Sequence, residues 1–470
     1  MFIQQPFNLT GGVAADSGYV LEQSVLCDGA AYLSRTVSDR HARIMTWDVW
    51  VKRTGFGANN YIWRTQPYGS VFLRFKSDDT IEFYAESEGT PVSYGQIRRI
   101  TNAVYRDPTA WYHITVGIDA NQTNDSCIRI EINGEEVTSY QGGGSFINPS
   151  VARDIEGMND PTSWFAAPGG SDYFNGYASR CVYIDGIQYT SSDFSEMNAD
   201  GINVPIDISG LTYGDESCIL DFADSSDFGN DVSGLNNDWT SSGFATTDQV
   251  TDTPTDSAED IGNYCTWNAL EIGDPAAPTT FSNGNLTSDG SIKNHVTLGT
   301  IGVTSGKWYW EWEWVSGGTS GNKITGIAYD DVTRFYDGSP PADGYLGGDA
   351  KGWGYYADGT IYHNNSTTAY GASYTTGDII GVALDMENGA VWFSKNNAWQ
   401  DSATVGEIEA GTTTNAAATG LSGTVLPAMS ALDASVCNGY FGASGDSAFA
   451  YTPPTGFKKL NTANLPAPSI

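Results

Sequence analysis

The chain has 470 residues, of which 22 are Lys or Arg and 56 are Asp or Glu, so its formal net charge is −34. Such an acidic surface repels phosphate backbones and anionic lipid headgroups, which argues against nucleic acid and membrane surfaces as partners. The length predicts two or three domains, each able to bury a core without disulfides or metals. Abundant Gly, Ser, Thr and aromatic residues, with no apolar run of ~18 residues, predict an all-β protein without membrane insertion.

Residues 1–18 are interpreted as an N-terminal arm and residues 19–215 as a first β-sandwich. In the stretch CIRIEING, Ile128, Ile130 and Ile132 alternate with polar side chains, which is the period of a half-buried strand. The Asn-Gly pair that follows predicts a tight hairpin turn. The stretch FLRFKSDDTIEFY predicts a second hairpin by the same alternation. Short strands separated by turns are typical of a sandwich or jelly roll.

Residues 216–260 are polar, acidic and rich in turn-forming residues, with too few apolar side chains for a core of their own. We interpret them as an ordered connector between two sandwiches. Asp224, Asp227 and Asp231 offer oxygen ligands for calcium, although Asp is also a common turn residue and the spacing is not that of an EF-hand. Calcium is the one cofactor that the sequence leaves open, because no Cys or His pair has zinc-site spacing.

Residues 261–460 form a second strand-rich block, and residues 461–470 a C-terminal tail. The block contains KWYWEWEW, ITGIAYDD, GWGYYADGTIYHN and DIIGVALDMENGAVWFSKNNAW. An Asp-Gly pair and an Asn-Gly pair predict two tight hairpins within it. Residues 401–424 are rich in Ala, Thr and Gly, and we interpret them as a long surface loop. The block therefore predicts a second β-sandwich.

Glu311 and Glu313 raise the question of a catalytic carboxylate pair. On a strand, residues two apart share a face at roughly 7 Å, a spacing suited to acid and base catalysis on a glycosidic bond. Concanavalin-like glucanases carry a Glu-x-Asp-x-x-Glu strand motif, whereas here the central acid is Glu and the third position is Ser316. The other interpretation puts the four tryptophans of this stretch on a core-facing side and both glutamates on the outward side. With no GxSxG, P-loop or HExxH motif present, we expect no enzymatic activity.

The second block resembles a SPRY domain. The resemblance rests on the lead-in GKWYWEWEW and on the hairpin GVALDMENGAVWFSKN, in the order found in that family. It implies a bent β-sandwich that binds partners through variable loops and is not an enzyme. The loop residues that we predict to contact a ligand are Phe335, Tyr336, Asp337, Tyr345, Asp349, Tyr370 and Tyr374.

The first block resembles concanavalin-like, LamG-type jelly rolls through the stretches TWDVWVKR, DPTAWYHITVGIDANQT and IRIEINGEEV. Its junction, from LDFADSSDFGNDVSGLNNDWT to NYCTWNAL, resembles that of many tailed-phage structural proteins. This resemblance implies a virion surface protein of the tail-fibre or appendage type, made in the host cytoplasm. Such a protein would bind other virion proteins and a host-surface glycan or protein, as a homo-oligomer such as a trimer.

Two other functions stay open at this point. A capsid decoration, head-fibre or tail-collar protein is favoured by the lack of coiled-coil heptads and of a β-helical shaft. A glycan depolymerase would need a carboxylate cluster that lines a groove.

Overall fold

The computed structural model describes residues 18–37, 43–65, 71–86, 96–122, 125–143, 145–146, 154–155, 161–272, 278–290, 295–318, 323–334, 344–431 and 434–466. The chain divides into two compact units, and the division falls between Ser257 and Ala258. The regular secondary structure of both units is almost entirely β-strand, as the composition predicts. The predicted arm, residues 1–18, lies outside the described residues except for its last position.

The first unit contains eighteen described strands. They are β1 (Ser24–Asp28), β2 (Tyr32–Thr36), β3 (Ile44–Arg53), β4 (Asn60–Thr65), β5 (Phe72–Phe75), β6 (Ile81–Glu86), β7 (Gln96–Ile100), β8 (Trp111–Asp119), β9 (Ile128–Ile132), β10 (Glu135–Glu136), β11 (Ser145–Phe146), β12 (Pro161–Trp164), β13 (Asn175–Asp185), β14 (Ser195–Met197), β15 (Asn203–Pro205), β16 (Cys218–Leu220), β17 (Thr240–Ser242) and β18 (Gln249–Val250). Its short 3-10 helices are Asp125–Cys127, Gln141–Gly143, Ser191–Asp193 and Thr246–Asp248.

Two antiparallel sheets of this unit enclose one core. Sheet A has the order β10-β9-β8-β3-β13-β1-β18, with β16 paired to β13, and sheet B has the order β11-β7-β6-β5-β4-β12-β2-β17. Side chains from both sheets meet between them, among them Trp47 of sheet A and Trp63 of sheet B, whose rings lie 4.7 Å apart. The predicted Asn-Gly turn is present between β9 and β10, where Asn133 and Gly134 both have positive φ.

Residues 216–260, predicted as a connector, contribute three strands to the first sandwich. Strand β16 pairs with β13, β17 with β2 and β18 with β1. Phe222, Phe228 and Trp239 lie in the core of that unit. In the structure this segment is therefore part of the first sandwich up to Ser257. The segment has too few apolar residues for a core of its own, but pairing with distant strands buries those that it has in the core of the first sandwich.

The second unit contains fifteen described strands. They are β19 (Thr280–Ser282), β20 (Thr287–Asp289), β21 (Thr297–Leu298), β22 (Lys307–Ser316), β23 (Lys323–Tyr329), β24 (Gly352–Tyr356), β25 (Thr360–His363), β26 (Ser366–Ala369), β27 (Ile379–Asp385), β28 (Ala390–Lys395), β29 (Ala398–Trp399), β30 (Ala418–Thr419), β31 (Val425–Ala431), β32 (Val436–Tyr440) and β33 (Lys458–Lys459). Its helices are α1 (Val405–Glu409) and the 3-10 turns Thr413–Asn415, Gly445–Ser447 and Thr462–Asn464.

This unit is also a two-sheet sandwich. Sheet C has the order β19-β20-β32-β22-β27-β28-β29, with β30 and β33 added at β28 and β22, and sheet D has the order β21-β31-β23-β24-β25-β26. Strand β22 carries the predicted tryptophan stripe. Trp308, Trp310, Trp312 and Trp314 are all at most 4% exposed and lie in one core cluster. The core-facing assignment of the four tryptophans is therefore confirmed.

The segment 401–424 differs from the predicted surface loop. Thr404 caps helix α1 by accepting a hydrogen bond from the Glu407 backbone N–H at 3.2 Å, and the Thr404 N–H donates to the Glu407 carboxylate at 2.8 Å. Ile408 of this helix is fully buried against the outer face of sheet C. A helix of five residues leaves little periodic pattern, so composition alone did not indicate it. In the part of the chain that the structure describes, no helix has the length and apolar character needed to cross a membrane.

Candidate functional site

One end of the second sandwich gathers polar and aromatic side chains that are only half-buried. Strand β23 ends there at Tyr329, β24 begins there next to Trp353, and β25 ends there at His363, because the three strands run antiparallel. Trp353 stacks on His363 with ring centroids 4.4 Å apart and planes 7° apart. Tyr329 meets the Trp353 ring edge-on at 5.4 Å. At this end of sheet D the rings of Tyr329, Trp353 and His363 therefore pack against one another and stay partly accessible to solvent.

The hairpin between β25 and β26 adds a second group of side chains. Its two turn residues, Asn364 and Asn365, have φ of 49° and 56°, a conformation that Asn tolerates better than most residues. The turn directs the Asn365 side-chain oxygen towards two tyrosines. Tyr362 donates to it at 2.9 Å, and the Tyr345 hydroxyl lies 3.2 Å from it. The hydroxyls of these tyrosines are 2.7 Å apart, which completes a small hydrogen-bonded cluster.

Gly347 allows the loop before β24 to lie against β25. Its φ is +90°, and a Cβ at this position would stand 2.3 Å from the Tyr362 carbonyl oxygen. Only glycine accepts both this backbone conformation and this approach. The residue therefore fixes the position of the neighbouring Tyr345 ring, whose centroid is 5.2 Å from that of Tyr362.

Asp349 belongs to the same end but holds the loop rather than facing outwards with free oxygens. One carboxylate oxygen accepts from the Thr333 N–H at 2.9 Å and the other from the Lys351 N–H at 2.8 Å. The Lys351 ammonium pairs with Asp331, and this hydrogen bond raises the pKa of Lys351 above its ordinary value. His363 donates from Nδ1 to the Gly352 carbonyl at 2.9 Å, which leaves its Nε2 as the acceptor in the neutral ring.

The arrangement suits recognition of a ligand rich in hydroxyl groups. Tyr hydroxyls and the Asn365 amide can donate and accept hydrogen bonds, and half-buried aromatic rings offer flat apolar surfaces. We call the set Tyr329, Tyr345, Trp353, Tyr362, His363 and Asn365 the loop-end cluster. Of the predicted residues, Tyr345 belongs to it and Asp349 supports it. Phe335, Tyr336 and Asp337 lie outside the described residues.

Tyr370 and Tyr374 are corrected from loop candidates to core residues. Tyr374 is 3% exposed, and its hydroxyl lies 2.9 Å from the carbonyl oxygens of Lys323 and Tyr355. The Tyr370 hydroxyl accepts from the Phe393 N–H at 3.1 Å. Burial raises the pKa of both phenols above the ordinary value. Aromatic residues flanked by polar ones predict a loop by composition, but here the rings turn inwards to fill the sandwich.

The sequence analysis missed Tyr362, His363 and Asn365 as members of the cluster. The signal that could have found them is the Asn-Asn pair after TIYH, because two consecutive Asn residues favour a two-residue turn. Such a turn places the last side chains of β25 beside the neighbouring loops. No local sequence pattern indicates Tyr329 and Trp353, because the contact between their rings depends on the register of β23 and β24.

Glu311 lies on the outward face of β22, as predicted, but that face is covered at this position rather than open to solvent. Glu311 is fully buried, and its carboxylate accepts from the N–H groups of Ala450 and Tyr451 at 2.7 and 2.9 Å and from the Tyr309 hydroxyl at 2.8 Å. Burial raises the pKa of Glu311 above its ordinary value, although these hydrogen bonds oppose the shift. Glu313 is half-buried and accepts from the Tyr440 hydroxyl. Chain segments packed on the outer face of sheet C cover the first carboxylate, so it does not line a groove.

The three predicted calcium ligands cap separate turns. Asp224 accepts from the N–H of Ser226 at 2.9 Å, and Asp227 accepts from that of Gly229 at 3.1 Å. Asp231 accepts from the N–H groups of Ile219, Ser233 and Asn237 at 2.9 Å each. Within the described ranges, no three His, Cys, Asp or Glu side chains come together as a metal site. These three Asp residues therefore stabilise turns, which is the other role that the composition indicated for them.

Comparison with protein families agrees with this architecture. Residues 307–443 match the SPRY domain, and residues 28–188 match the family described as the concanavalin A-like lectin/glucanases superfamily. Both matched regions lie within the β-sandwiches described above. The chain is therefore a protein with a concanavalin-like domain followed by a SPRY domain, an architecture that indicates a β-sandwich binding module.

Solved structures with similarity to the chain include two SPRY domains and a toxin. The chain is 20% identical to the SPRY domain of human HERC1, over 34% of this chain and 91% of that one, with a TM-score of 0.25. It is 14% identical to the TRIM65 PSpry domain, over 37% and 88%, with a TM-score of 0.28. It is 23% identical to stonustoxin, over 40% of this chain and 30% of that one, with a TM-score of 0.27.

Proposed function

We propose that this chain is a non-enzymatic bacteriophage virion surface protein, of the tail-fibre or appendage type, that binds a host-surface glycan or protein. The observation that carries the binding role is the loop-end cluster of the SPRY domain. The phage setting rests on the resemblance of the junction between the two domains to that of tailed-phage structural proteins. The proposal includes assembly with other virion proteins and self-association as a trimer.

The loop-end cluster supports a glycan ligand by its chemistry. Its side chains combine hydrogen-bonding groups with accessible ring faces, which is the combination that sugar hydroxyls and sugar rings require. The cluster sits on rigid strands and tight turns, so little side-chain freedom is lost when a ligand binds. The acidic character of the whole chain favours neutral or cationic ligands at this end of the molecule.

The first test measures binding of the whole protein to an array of bacterial surface glycans and to host cells. Asn365→Gly removes the amide of the cluster while keeping a residue that accepts positive φ. Loss of this hydrogen-bonding group is expected to weaken binding by about tenfold. The matched control is Asn397→Gly, since Asn396 and Asn397 form the same kind of two-residue turn, with φ of 47° and 65°, at the opposite end of the sandwich. Equal affinity of the two variants would contradict the assignment of the site.

The second test concerns the particle. Antibody to residues 261–460, labelled with gold, is applied to intact virions. Gold at the tail or its collar supports a role in adsorption. Gold over the head favours a capsid decoration or head-fibre protein instead, and unlabelled particles contradict the virion assignment. Release of sugar from an array glycan during the first test would favour a depolymerase.

A further inference from the structure

Strand β26 (Ser366–Ala369) is the free edge of sheet D in the second unit. It pairs with β25 on one side, and no other described strand pairs with its second side. All four of its residues are exposed. The other described strands that end a sheet have two or three residues each, whereas β26 has four. Because short edge strands resist pairing with another chain, β26 is the edge on which a further strand fits best.

The turn that leads into β26 fixes which backbone groups are used within sheet D. Asn364 and Asn365 both have positive φ, as in a two-residue hairpin turn. The pair that closes such a turn, here His363 and Ser366, exchanges both of its backbone hydrogen bonds. Ser366 therefore directs its N–H and carbonyl groups towards β25.

The next residues of β26 alternate in direction. Hydrogen-bonded and non-hydrogen-bonded pairs follow one another along an antiparallel ladder, so Thr368 also faces β25. Thr367 and Ala369 face the open side, each with one N–H and one carbonyl group. The Tyr370 N–H continues the alternation by donating to the Gly359 carbonyl at 3.2 Å. Among the residues that the structure describes, none bonds to the outward backbone groups of Thr367 and Ala369.

The sequence around this edge carries no carboxylate, ammonium or guanidinium group. Residues 359–377 contain no Asp, Glu, Lys or Arg, although 17% of the chain is charged. Charged side chains usually protect an edge strand, and like charges that meet across two strands are destabilising. A neutral edge is therefore what contact between two identical segments requires. The net charge of −34 makes two copies of the chain repel one another, so a neutral edge is the surface at which they can approach.

We propose that β26 pairs with β26 of a second copy of this chain, antiparallel and about a two-fold axis at Thr368. Thr367 of each copy then lies opposite Ala369 of the other, and each of these pairs exchanges both of its backbone hydrogen bonds. The two Thr368 side chains meet at the axis, where a Thr–Thr pair is favourable in a sheet. The six-stranded sheet D becomes one half of a continuous sheet.

The pairing is weak, because β26 has four residues whereas a stable interface has roughly 20–30 on each side. We expect a reversible contact with a Kd of about 10–100 μM. Copies held close together on one particle would strengthen it through their high local concentration. The contact is two-fold, so it is independent of the three-fold association proposed above and can link two single chains or two trimers.

The experiment is a charge swap at the two-fold axis, made in the whole protein. Thr368→Glu and Thr368→Lys each place like charges opposite one another in a pair of identical copies, so either variant alone should pair at least about tenfold more weakly. An equimolar mixture of the two variants should pair again, because Glu then meets Lys. Thr368 is exposed, so both side chains fit without disturbing the unit. A misfolded variant would not be rescued by mixing.

Analytical ultracentrifugation over about 1 μM to about 1 mM measures the association. Pairing is read as a doubling of mass between the lowest and the highest concentration, whether the species that pairs is a single chain or a trimer. Amide hydrogen exchange gives a second readout. It should slow at Thr367 and Ala369 as the concentration of the wild type rises, because their N–H groups become bonded.

The matched control is Thr280, an exposed residue of the edge strand β19 in the same unit. Thr280→Glu and Thr280→Lys introduce the same charges and should leave the association unchanged. Pairing that is lost in each Thr368 variant and restored in their mixture supports the proposal. A wild type that does not pair at the highest concentration, a mixture that stays unpaired, or an equal loss in the Thr280 variants overturns it. Other virion proteins that retain the wild type but not Thr368→Lys, without self-association, overturn the second-copy assignment in favour of a strand from another protein.

Discussion

At the scale of single residues, Glu311 shows how a carboxylate can be structural in a strand that looks catalytic. Its two oxygens tie the backbone of Ala450 and Tyr451 to the middle of β22. The Tyr309 hydroxyl supplies a third hydrogen bond. A fully buried carboxylate is costly when ionised unless such donors surround it. The Glu side chain therefore fastens the segment before β33 onto the outer face of sheet C.

Glu311 makes stability depend on pH in a defined direction. Burial raises its pKa in the folded state above the value in the unfolded chain. The folded state therefore binds more protons above pH 4.5, and the stabilisation linked to Glu311 is lost as pH rises through the folded-state pKa. Denaturant unfolding of the wild type and Glu311→Gln at pH 4.5 and pH 7.5 tests this. The free energy of unfolding of the wild type minus that of the variant should be larger at pH 4.5. A difference that grows with pH would contradict the prediction.

At the scale of elements, a buried ion pair holds the last part of the first unit in place. The Lys52 ammonium lies 2.8 Å from a carboxylate oxygen of Asp252, and both side chains are at most 2% exposed. Trp111 donates from Nε1 to the other oxygen at 3.2 Å. Nearby, the Leu21 N–H donates to Thr255 Oγ1 at 3.1 Å. These contacts attach the segment after β18 to the outer face of sheet A.

Removal of Asp252 is expected to be severe because it takes the carboxylate partner away from the buried, charged Lys52. Asp252→Ala should lower the free energy of unfolding of the first unit by about 3–5 kcal/mol. The control is Glu136→Ala, which breaks the exposed pair with Arg129 and should cost about 1 kcal/mol or less. Both variants are measured by denaturant unfolding with the same probe. Similar losses in the two variants would show that the buried pair does not fix the segment.

Elements with a strong local pattern were predictable from the sequence. The alternation of Ile128, Ile130 and Ile132 predicted β9, and the tryptophan stripe predicted the core face of β22. The strands β16, β17 and β18 were not predictable, since each has two or three residues and exists only through pairing with distant strands. The same reason applies to the loop-end cluster: Tyr345 could be chosen by residue type, whereas Trp353 and His363 meet only through strand register.

At the scale of the whole molecule, positive charge is unevenly distributed along the chain. Twelve of its thirteen arginines precede Ser257, and Arg334 alone follows it. The first unit can therefore offer cationic surface despite the acidic total charge of the chain. The second unit offers hydroxyl, amide and aromatic groups at its loop end. The loop-end cluster of the second unit therefore suits a neutral glycan.

Each unit has its own core, so the boundary between them can be tested with fragments. A fragment of residues 258–470 should unfold cooperatively, because its core clusters contain no residue before Tyr264. A fragment of residues 258–460, which ends where the sequence predicted, should be less stable. It lacks Asn461, whose amide donates to the Glu259 carbonyl at 3.0 Å, and Leu465, which is 8% exposed in the core.

The shorter fragment loses one buried apolar side chain and several buried hydrogen bonds, which together stabilise by about 3–5 kcal/mol. For a unit of this size, that loss lowers the melting temperature by about 10 °C. Calorimetry of the two fragments measures the difference directly. The whole chain is the reference, and its transition for this unit should match that of residues 258–470. Equal melting temperatures for the two fragments would show that the residues after Leu460 rest on the sandwich without stabilising it.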